Sequence, residues 1–324
     1  MLKNNMYQSV IKSVLLSVVI LSSLFSVSAK AQTYPNQNFT MIVPFGPGGG
    51  SDVMARTLGN VIAELNLLPV KILVENQPGS QSAKGYGMVA SRKGDDYTLA
   101  TVSVSFFTTP LRGGTSYNYK SFTPIAGIAT SPYIMVVSAK SKYKTVSDFK
   151  NATSLTTGAT GAASDAAILS NIIKKSLNTN IRVVPFDGEG EIMTELLGGR
   201  IDFALFNPGE VLGMIQAGTV RPIAVSTSKR LPKFANVPTF KEQGFDIDYV
   251  QVRGVVMPQG VSQSSVAYWE GVLKKVAESE NWRKQYIERF NEEPAFIPAK
   301  EFAGVLDATN ARYESVMKEL GMIK

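Results

Sequence analysis

The sequence contains no cysteine and no histidine. Without cysteine the chain can form no disulfide and carry no cysteine-linked lipid anchor, so it must depend on its core for stability. Without histidine it cannot build a Ser-His-Asp triad, a Cys-His pair or an imidazole metal site. Enzymes that use only carboxylates, Lys or Tyr remain possible, but no pair of acids stands at a motif-like spacing. We therefore expect no catalytic residues, no metal and no cofactor.

The first 31 residues are typical of a cleaved secretory signal. Lys3 and Lys12 supply a basic start, and the apolar run over residues 14–28 is too short and too rich in serine for a membrane span. Ala29-Lys30-Ala31 has the small-x-small form of a cleavage site, so we expect the mature chain to begin at Gln32. The alternative is an uncleaved membrane anchor.

Positive charge is in mild excess. The formal net charge of +7 falls to +4 without Lys3, Lys12 and Lys30, and no basic run is present. This pattern argues against nucleic acid as a partner, although a modest positive field favours small anions. The roughly 290 remaining residues can bury a large core, which suggests two lobes or one large domain.

Strand and helix patterns alternate along the chain, which is typical of an α/β fold. The strands are rich in Val, Ile and Phe, as expected for buried parallel strands. Strands are predicted at 39–43, 70–75, 97–103, 134–138, 155–158, 182–185, 201–206 and 221–226. Helices are predicted at 52–65, 80–91, 165–177, 189–197, 210–216, 264–278 and 300–320.

The segment between the first strand and the first helix contains four glycines, Gly46, Gly48, Gly49 and Gly50. Glycine lets backbone N–H groups approach a ligand closely, and a helix start adds unpaired donors and partial positive charge. The loop therefore predicts a pocket for a carboxylate or phosphate. Ser51 follows Gly50, so neither a P-loop nor a dinucleotide fingerprint fits. A tight turn without a ligand is the alternative.

Three further strand-to-helix turns, at 76–80, 157–165 and 185–189, have the same character. Ligands of open α/β sheets bind beyond the carboxyl ends of strands. These turns come from both halves of the chain, so the sequence predicts a single cleft between two halves.

A series of short motifs runs along nearly all of the expected mature chain. The motifs are Tyr34-Pro35, Ile42-Val43-Pro44-Phe45, Pro47-Gly48-Gly49, Asp52-Val53-Met54-Ala55-Arg56, Val74-Glu75-Asn76-Gln77-Pro78-Gly79, Asp96-Tyr97-Thr98-Leu99, 196–202, 217–225 and 237–244. Each motif is weak alone but specific in this order and spacing. In these motifs the chain resembles the periplasmic receptors of the tripartite tricarboxylate transporter system, the Bug family.

The resemblance implies an α/β, two-lobed periplasmic binding protein of type II (Venus-flytrap) with a ligand cleft between its lobes. Residues 32–135 plus 246–324 would form domain 1 and residues 136–245 domain 2, with hinge crossings near Ile134 and 250–256. Such a protein would be a monomer that captures a small organic acid and delivers it to the permease subunits of a membrane transporter. A co-receptor for a membrane sensor kinase is the alternative, and a histidine-independent enzyme is disfavoured.

In the family a ligand carboxylate is held mainly by backbone N–H groups of the first two loops, with the end of the third strand as the floor and polar groups of domain 2 at the far end. The substrate-binding residues that this implies are Phe45, Gly48, Gly49, Ser51, Asp52, Gly79, Ser80, Ser103, Ser105, Thr160, Ser164, Asp165, Phe186, Asp187, Gly188 and Asn207.

The chain departs from the family pattern at the turn over residues 186–191. Family members usually carry a Tyr-Lys-Gly-Gly-like turn there, whereas this chain has Asp187, Glu189 and Glu191. Either these acids form a solvated helix start, or one faces the cleft and binds an amino group. In the second case a plain di- or tricarboxylate is disfavoured by repulsion, and an amino acid or an amide-bearing acid fits better.

Two other departures concern Asn207 and Arg253. Asn207-Pro208 stands where the family often has an acid followed by Asn, and an amide can donate and accept hydrogen bonds. Arg253 replaces part of an aromatic pair near the hinge, and it either pairs with a second ligand carboxylate or lies on the surface. Four aromatic residues either line an apolar slot or belong to the core: Phe45, Phe106, Phe107 and Phe186.

Overall fold

Eleven short strands form the sheets of the computed structural model, which describes residues 34–161, 163–186 and 188–324. The predicted signal segment lies outside the described residues. The strands are β1 Phe39–Val43, β2 Ile72–Asn76, β3 Thr98–Thr101, β4 Phe122–Pro132, β5 Ile134–Ser138, β6 Leu155–Ala159, β7 Ile181–Pro185, β8 Ala204–Phe206, β9 Val220–Val225, β10 Val250–Pro258 and β11 Glu293–Pro298.

Helices connect most of these strands. The α-helices are α1 Gly50–Glu64, α2 Ala83–Ser91, α3 Val104–Leu111, α4 Asp165–Leu177, α5 Glu189–Leu197, α6 Pro208–Gln216, α7 Gln263–Ala277, α8 Glu280–Trp282 and α9 Ala299–Glu319. A π-helical segment, Arg283–Glu288, follows α8, and the 3₁₀ turns are Tyr119–Ser121, Val146–Asn151, Pro232–Phe234 and Lys241–Gln243. None of the described helices is long and apolar enough to cross a membrane.

The strands belong to two separate groups. One sheet has the order β11-β4-β10-β3-β1-β2, in which only β2, β1 and β3 pair in parallel. A second sheet, β8-β5-β9, is antiparallel, and the parallel pair β6-β7 lies beside it through a bridge between Thr157 and Phe203. We call the six-stranded sheet with α1–α3 and α7–α9 the first lobe, and β5–β9 with α4–α6 the second lobe.

This mixed α/β, two-lobed architecture is the one that the sequence predicts, although the expectation of parallel strands holds for only part of it. The domain boundaries remain a prediction. Sequence analysis missed β4, β10, β11 and α3. It was also wrong about Ser103 and Ser105, which lie at the N-terminus of α3 instead of at a strand end.

The chain passes between the lobes at two tyrosines. Tyr133 is the single residue between β4 and β5, and Tyr249 directly precedes β10. The buried Ser226 hydroxyl accepts a hydrogen bond from the Tyr133 N–H at 2.9 Å and donates one to the Tyr249 carbonyl. The two tyrosine rings meet edge to face, with centroids 6.0 Å apart. The Ser226 side chain therefore holds the two connections between the lobes together.

Candidate functional site

A cleft of about 560 Å³ lies where residues of both lobes meet. Five helices begin at its wall, each supplying residues of its first turn or its cap. These residues are Gly49, Gly50 and Ser51 of α1, Ser103, Val104 and Ser105 of α3, Ser164, Asp165 and Ala166 of α4, Glu189 of α5, and Asn207 and Glu210 of α6. First-turn N–H groups lack intrahelical partners and carry partial positive charge, so convergent helix starts favour an anion.

The glycine loop before α1 is held by Asp52. Its carboxylate accepts hydrogen bonds from the Gly48 N–H at 2.8 Å, the Arg56 Nε at 3.0 Å and the Asn76 side chain at 2.8 Å. Burial alone would raise the pKa of Asp52, but the bonds from Arg56, Gly48 and Asn76 hold that pKa below its usual value. The bond between Asp52 and the Gly48 N–H therefore fixes the shape of the loop. The loop lines the cleft through Gly49, Gly50 and Ser51.

Four mostly buried polar side chains line the cleft, and no other described side chain or backbone group is hydrogen-bonded to their polar atoms. They are Ser51, Thr108, Tyr133 and Gln251, with 6%, 3%, 8% and 7% of their surface exposed. None of them belongs to the fully buried polar atoms that lack a partner, so their polar atoms are open to the cleft. These four groups can therefore bind a polar ligand in place of water.

Arg253 also lines the cleft, and two residues outside the cleft wall, Ser131 and Glu292, hold its guanidinium group. Its Nε donates to the Ser131 hydroxyl at 2.7 Å, and its Nη2 lies 3.9 Å from a carboxylate oxygen of Glu292. Ser131 in turn donates to Glu292. Burial alone would lower the pKa of Arg253, but Tyr286 and Glu292 raise it above its usual value, so the guanidinium stays charged. The sequence allows two positions for Arg253, facing the cleft or lying on the surface, and in the structure it lines the cleft.

Asp165, the first residue of α4, is 3% exposed and accepts hydrogen bonds from the hydroxyls of Tyr249 and Tyr313. Burial raises the pKa of this carboxyl above its usual value. Tyr313 lies on α9, so the contact fastens the first turn of α4 to the C-terminal helix. Both hydroxyls donate to the same oxygen, Oδ1, and hold the carboxyl group in place, so Asp165 fixes the wall of the cleft.

Asn207 lies at the N-cap of α6, and both its side chain and its backbone N–H form hydrogen bonds. Its side-chain amide donates to the Pro132 carbonyl at 2.8 Å, and its backbone N–H donates to Glu210 Oε2 at 2.9 Å. Burial raises the pKa of Glu210 to about 7, and the nearby charge of Glu189 adds to this rise. The Glu210 side chain itself is exposed to the cleft. Its pKa is raised because the protein around the cleft keeps bulk water away from the carboxyl group.

The structure brings nine of the predicted site residues to the cleft: Phe45, Gly49, Ser51, Ser103, Ser105, Thr160, Ser164, Asp165 and Asn207. Six others are not part of its wall: Gly48, Asp52, Gly79, Ser80, Phe186 and Gly188. Asp187 lies outside the described residues. Of the four aromatic residues considered, Phe106 and Phe107 belong to the core, and Phe186 packs so closely on Gly158 that a Cβ there would lie 2.9 Å from its ring.

Sequence analysis missed Thr108, Tyr133, Glu210 and Gln251 as cleft residues. A signal for Gln251 is present, because apolar Val250 and Val252 alternate with polar Gln251 and Arg253. Alternate residues of a strand share a face, so Gln251 faces the same side as Arg253. Tyr133 offers no comparable local signal.

A family model described as "Tripartite tricarboxylate transporter family receptor" matches residues 54–322. The chain belongs to this family of periplasmic binding receptors. Its membership confirms the predicted resemblance and the prediction of a receptor instead of an enzyme.

Similar proteins agree with this assignment. BugT of Bordetella pertussis is 26% identical over 323 residues, which cover 94% of this chain and 96% of BugT. A TctC solute-binding protein from Polaromonas, solved without ligand, is 26% identical with a TM-score of 0.78, covering 89% of this chain and 100% of that one. R. palustris Rpa4515 with adipate has 23% identity and a TM-score of 0.75, covering 89% and 98%. These similarities confirm the two-lobed fold.

Proposed function

We propose that this protein is a periplasmic solute receptor that captures a small organic carboxylate in the cleft and delivers it to the permease of a tripartite tricarboxylate-type transporter. The ligand classes in question are a plain carboxylate, an amino acid and an amide-bearing acid. We further propose that the receptor acts as a monomer and reaches the periplasm through a cleaved signal at residues 1–31.

The four polar side chains whose hydrogen-bonding groups are open to the cleft, Ser51, Thr108, Tyr133 and Gln251, carry this proposal. Ser51 and the first-turn N–H groups of α1 offer donors on one wall, where Arg253 adds a fixed positive charge. A carboxylate is the small group that accepts from N–H, hydroxyl and guanidinium donors together. Gln251 and Tyr133 add adaptable donors and acceptors in the same cleft.

The size of the cleft agrees with a small ligand. Its volume of about 560 Å³ falls in the range of small-molecule sites in general. Rpa4515, which shares the fold, has been solved with adipate.

A thermal-shift screen with mono-, di- and tricarboxylates, amino acids and their amides tests the binding function. A ligand at 100 times its Kd adds about 2.7 kcal/mol to the unfolding free energy, which raises Tm by a few degrees. Gln251→Leu should lose this shift for the ligand found, whereas the exposed Gln263→Leu should keep it. Absence of a shift with every compound would contradict the proposal.

Delivery is tested separately by uptake of the radiolabelled ligand into cells. Cells that lack the receptor should lose uptake, and the wild-type gene but not Gln251→Leu should restore it. Uptake at the normal rate without the receptor would contradict a role in transport while leaving the binding function intact.

A further inference from the structure

The two walls of the cleft differ in charge. Both arginines that line it, Arg112 and Arg253, belong to the first lobe, as does the start of α1. The second lobe contributes Glu189, Glu210 and Asp165, the last held by two tyrosine hydroxyls, and, among its described residues, no lysine or arginine. A ligand that spans the cleft therefore meets positive charge at one end and negative charge at the other.

Among the described residues neither glutamate has a cation at salt-bridge distance, although the charge of Arg253 acts on Glu210 at longer range and partly offsets the rise in its pKa that burial causes. Within the described part of the chain no Lys or Arg forms a salt bridge with Glu189 or Glu210. One oxygen of Glu210, Oε2, is fixed by the Asn207 N–H at 2.9 Å, which leaves Oε1 without a described partner. Two neighbouring carboxylates in a partly enclosed site repel one another, and a bound cation relieves that repulsion.

The hydroxyl of Tyr133 is an independent sign of a ligand at the same wall. Tyr133 is 8% exposed, lines the cleft and has no hydrogen-bond partner for its hydroxyl among the described residues. Burial raises the pKa of Tyr133 well above its usual value, and the charges of Asp165 and Glu210 raise it further, so the hydroxyl stays protonated beside Glu210. A protonated hydroxyl can accept a hydrogen bond from an ammonium group while donating its own proton to a carboxylate.

We infer that the second-lobe wall binds the ammonium group of a zwitterionic ligand, so that the preferred solute is an amino acid. Glu189 and Glu210 supply the negative charge, since a bound ammonium group favours the ionised form of Glu210. Tyr133 supplies an acceptor, while the ligand carboxylate lies at the start of α1. This inference rests on the proposed carboxylate-binding function and specifies its ligand class.

A plain dicarboxylate fits this arrangement poorly. Its second carboxylate would approach Glu189 and Glu210, and like charges in a partly desolvated site disfavour one another. Discrimination would therefore come from repulsion of the wrong ligand as well as from attraction of the right one.

Calorimetric titrations with matched acids test the inference. L-glutamate is compared with glutarate, L-aspartate with succinate, and L-norvaline with pentanoate, because the members of each pair differ only in the amino group. At least one amino acid should bind tenfold or more tightly than its partner acid.

Glu210→Gln is the decisive variant. A glutamine oxygen can still accept the Asn207 N–H, as it does in capping boxes, so the start of α6 should remain folded. The variant should lose at least tenfold in affinity for the amino acid and should bind the matched plain acid as well as the wild type or better. Glu191→Gln removes the same charge from the first turn of α5 outside the cleft wall and should change neither affinity.

The outcomes separate the two proposals. Plain acids that bind as tightly as their amino acid partners would overturn the zwitterion inference and leave the carboxylate receptor standing. Equal binding of amino acids by the wild type and by Glu210→Gln and Glu189→Gln would also overturn it. If no compound of either set bound, both proposals would fail.

Discussion

Gly50 and Arg253 lie next to each other in the wall of the cleft. A Cβ on Gly50 would lie 3.2 Å from Nη2 and 3.5 Å from Nη1 of Arg253. The first turn of α1 therefore approaches the guanidinium with no side chain between them. The charge of Arg253 and the free N–H groups of α1 can then act on the same ligand group.

Gly50→Ala should weaken ligand binding by roughly tenfold, about 1.4 kcal/mol. Alanine suits a helix start, so the unfolding free energy should change by no more than about 0.5 kcal/mol. The loss arises because the guanidinium must move by a few tenths of an ångström. Gly46→Ala, whose Cβ would meet no atom within 4 Å, is the matched control and should bind normally. Calorimetry and urea denaturation measure the two effects, and unchanged affinity of Gly50→Ala would contradict this reasoning.

Arg253→Met should lower the unfolding free energy by about 3–5 kcal/mol, because it leaves the buried Glu292 without its cation. Burial already raises the pKa of Glu292, and the charge of Arg253 opposes that rise. The double variant Arg253→Met/Glu292→Gln should therefore recover much of the loss. Urea denaturation of both variants provides the comparison, and equal stability of the single and double variants would show that the pair does not interact.

Ser226→Ala should destabilise the protein by about 2 kcal/mol, since the Tyr133 N–H and the Tyr249 carbonyl would lose their buried partner. Ser154 is exposed, so Ser154→Ala should stay within about 0.5 kcal/mol of the wild type. Chemical denaturation tests both. A neutral Ser226→Ala would mean that water or a shifted backbone satisfies the two groups.

Glu210 should make the stability of the ligand-free protein depend on pH. Burial raises its pKa from the usual 4.5 to about 7 in the folded state. Below about pH 4.5 the group is protonated in both states. Between the two values the unfolded chain ionises first, so this contribution to stability is lost as pH rises to about 7 and is constant above it.

Comparison of the wild type with Glu210→Gln isolates this effect. The unfolding free energy of the wild type relative to the variant should fall between about pH 4.5 and pH 7, as measured by urea denaturation without ligand. A difference that stays constant, or that rises with pH, would show that the carboxylate is not desolvated by its surroundings.

The local sequence was enough to predict a helix or strand where residues at its own ends mark where it begins and stops. β1, β5, α4 and α5 have the predicted limits, and α4 is a clear case because the Ser164 hydroxyl accepts a hydrogen bond from the Ala167 N–H, and serine is a favoured N-cap residue. β4 escaped prediction because Pro124, Gly127 and Pro132 interrupt it, and such residues argue against an inner strand. Its place between β11 and β10 is decided by partners that are distant in sequence.

The residues of the cleft likewise differ in whether the local sequence predicts them. The starts of α1, α4, α5 and α6 could be predicted, because each combines a strand end with small or capping residues in consecutive sequence, whereas the start of α3 was missed. Tyr133 and Gln251 could not be predicted in this way, since they lie at or beside the crossings between lobes. Their polar groups meet in the cleft only because two segments more than 100 residues apart along the chain pass side by side.

A crystal structure of the protein with the tightest ligand of the screen tests the central claim most directly. The account predicts a ligand carboxylate within hydrogen-bond distance, about 2.7–3.2 Å, of the Ser51 side chain or the first-turn N–H groups of α1, with Gln251 and Tyr133 bonded to the same molecule. A ligand bound outside this cleft, or one whose carboxylate lies away from α1 and Arg253, would contradict it.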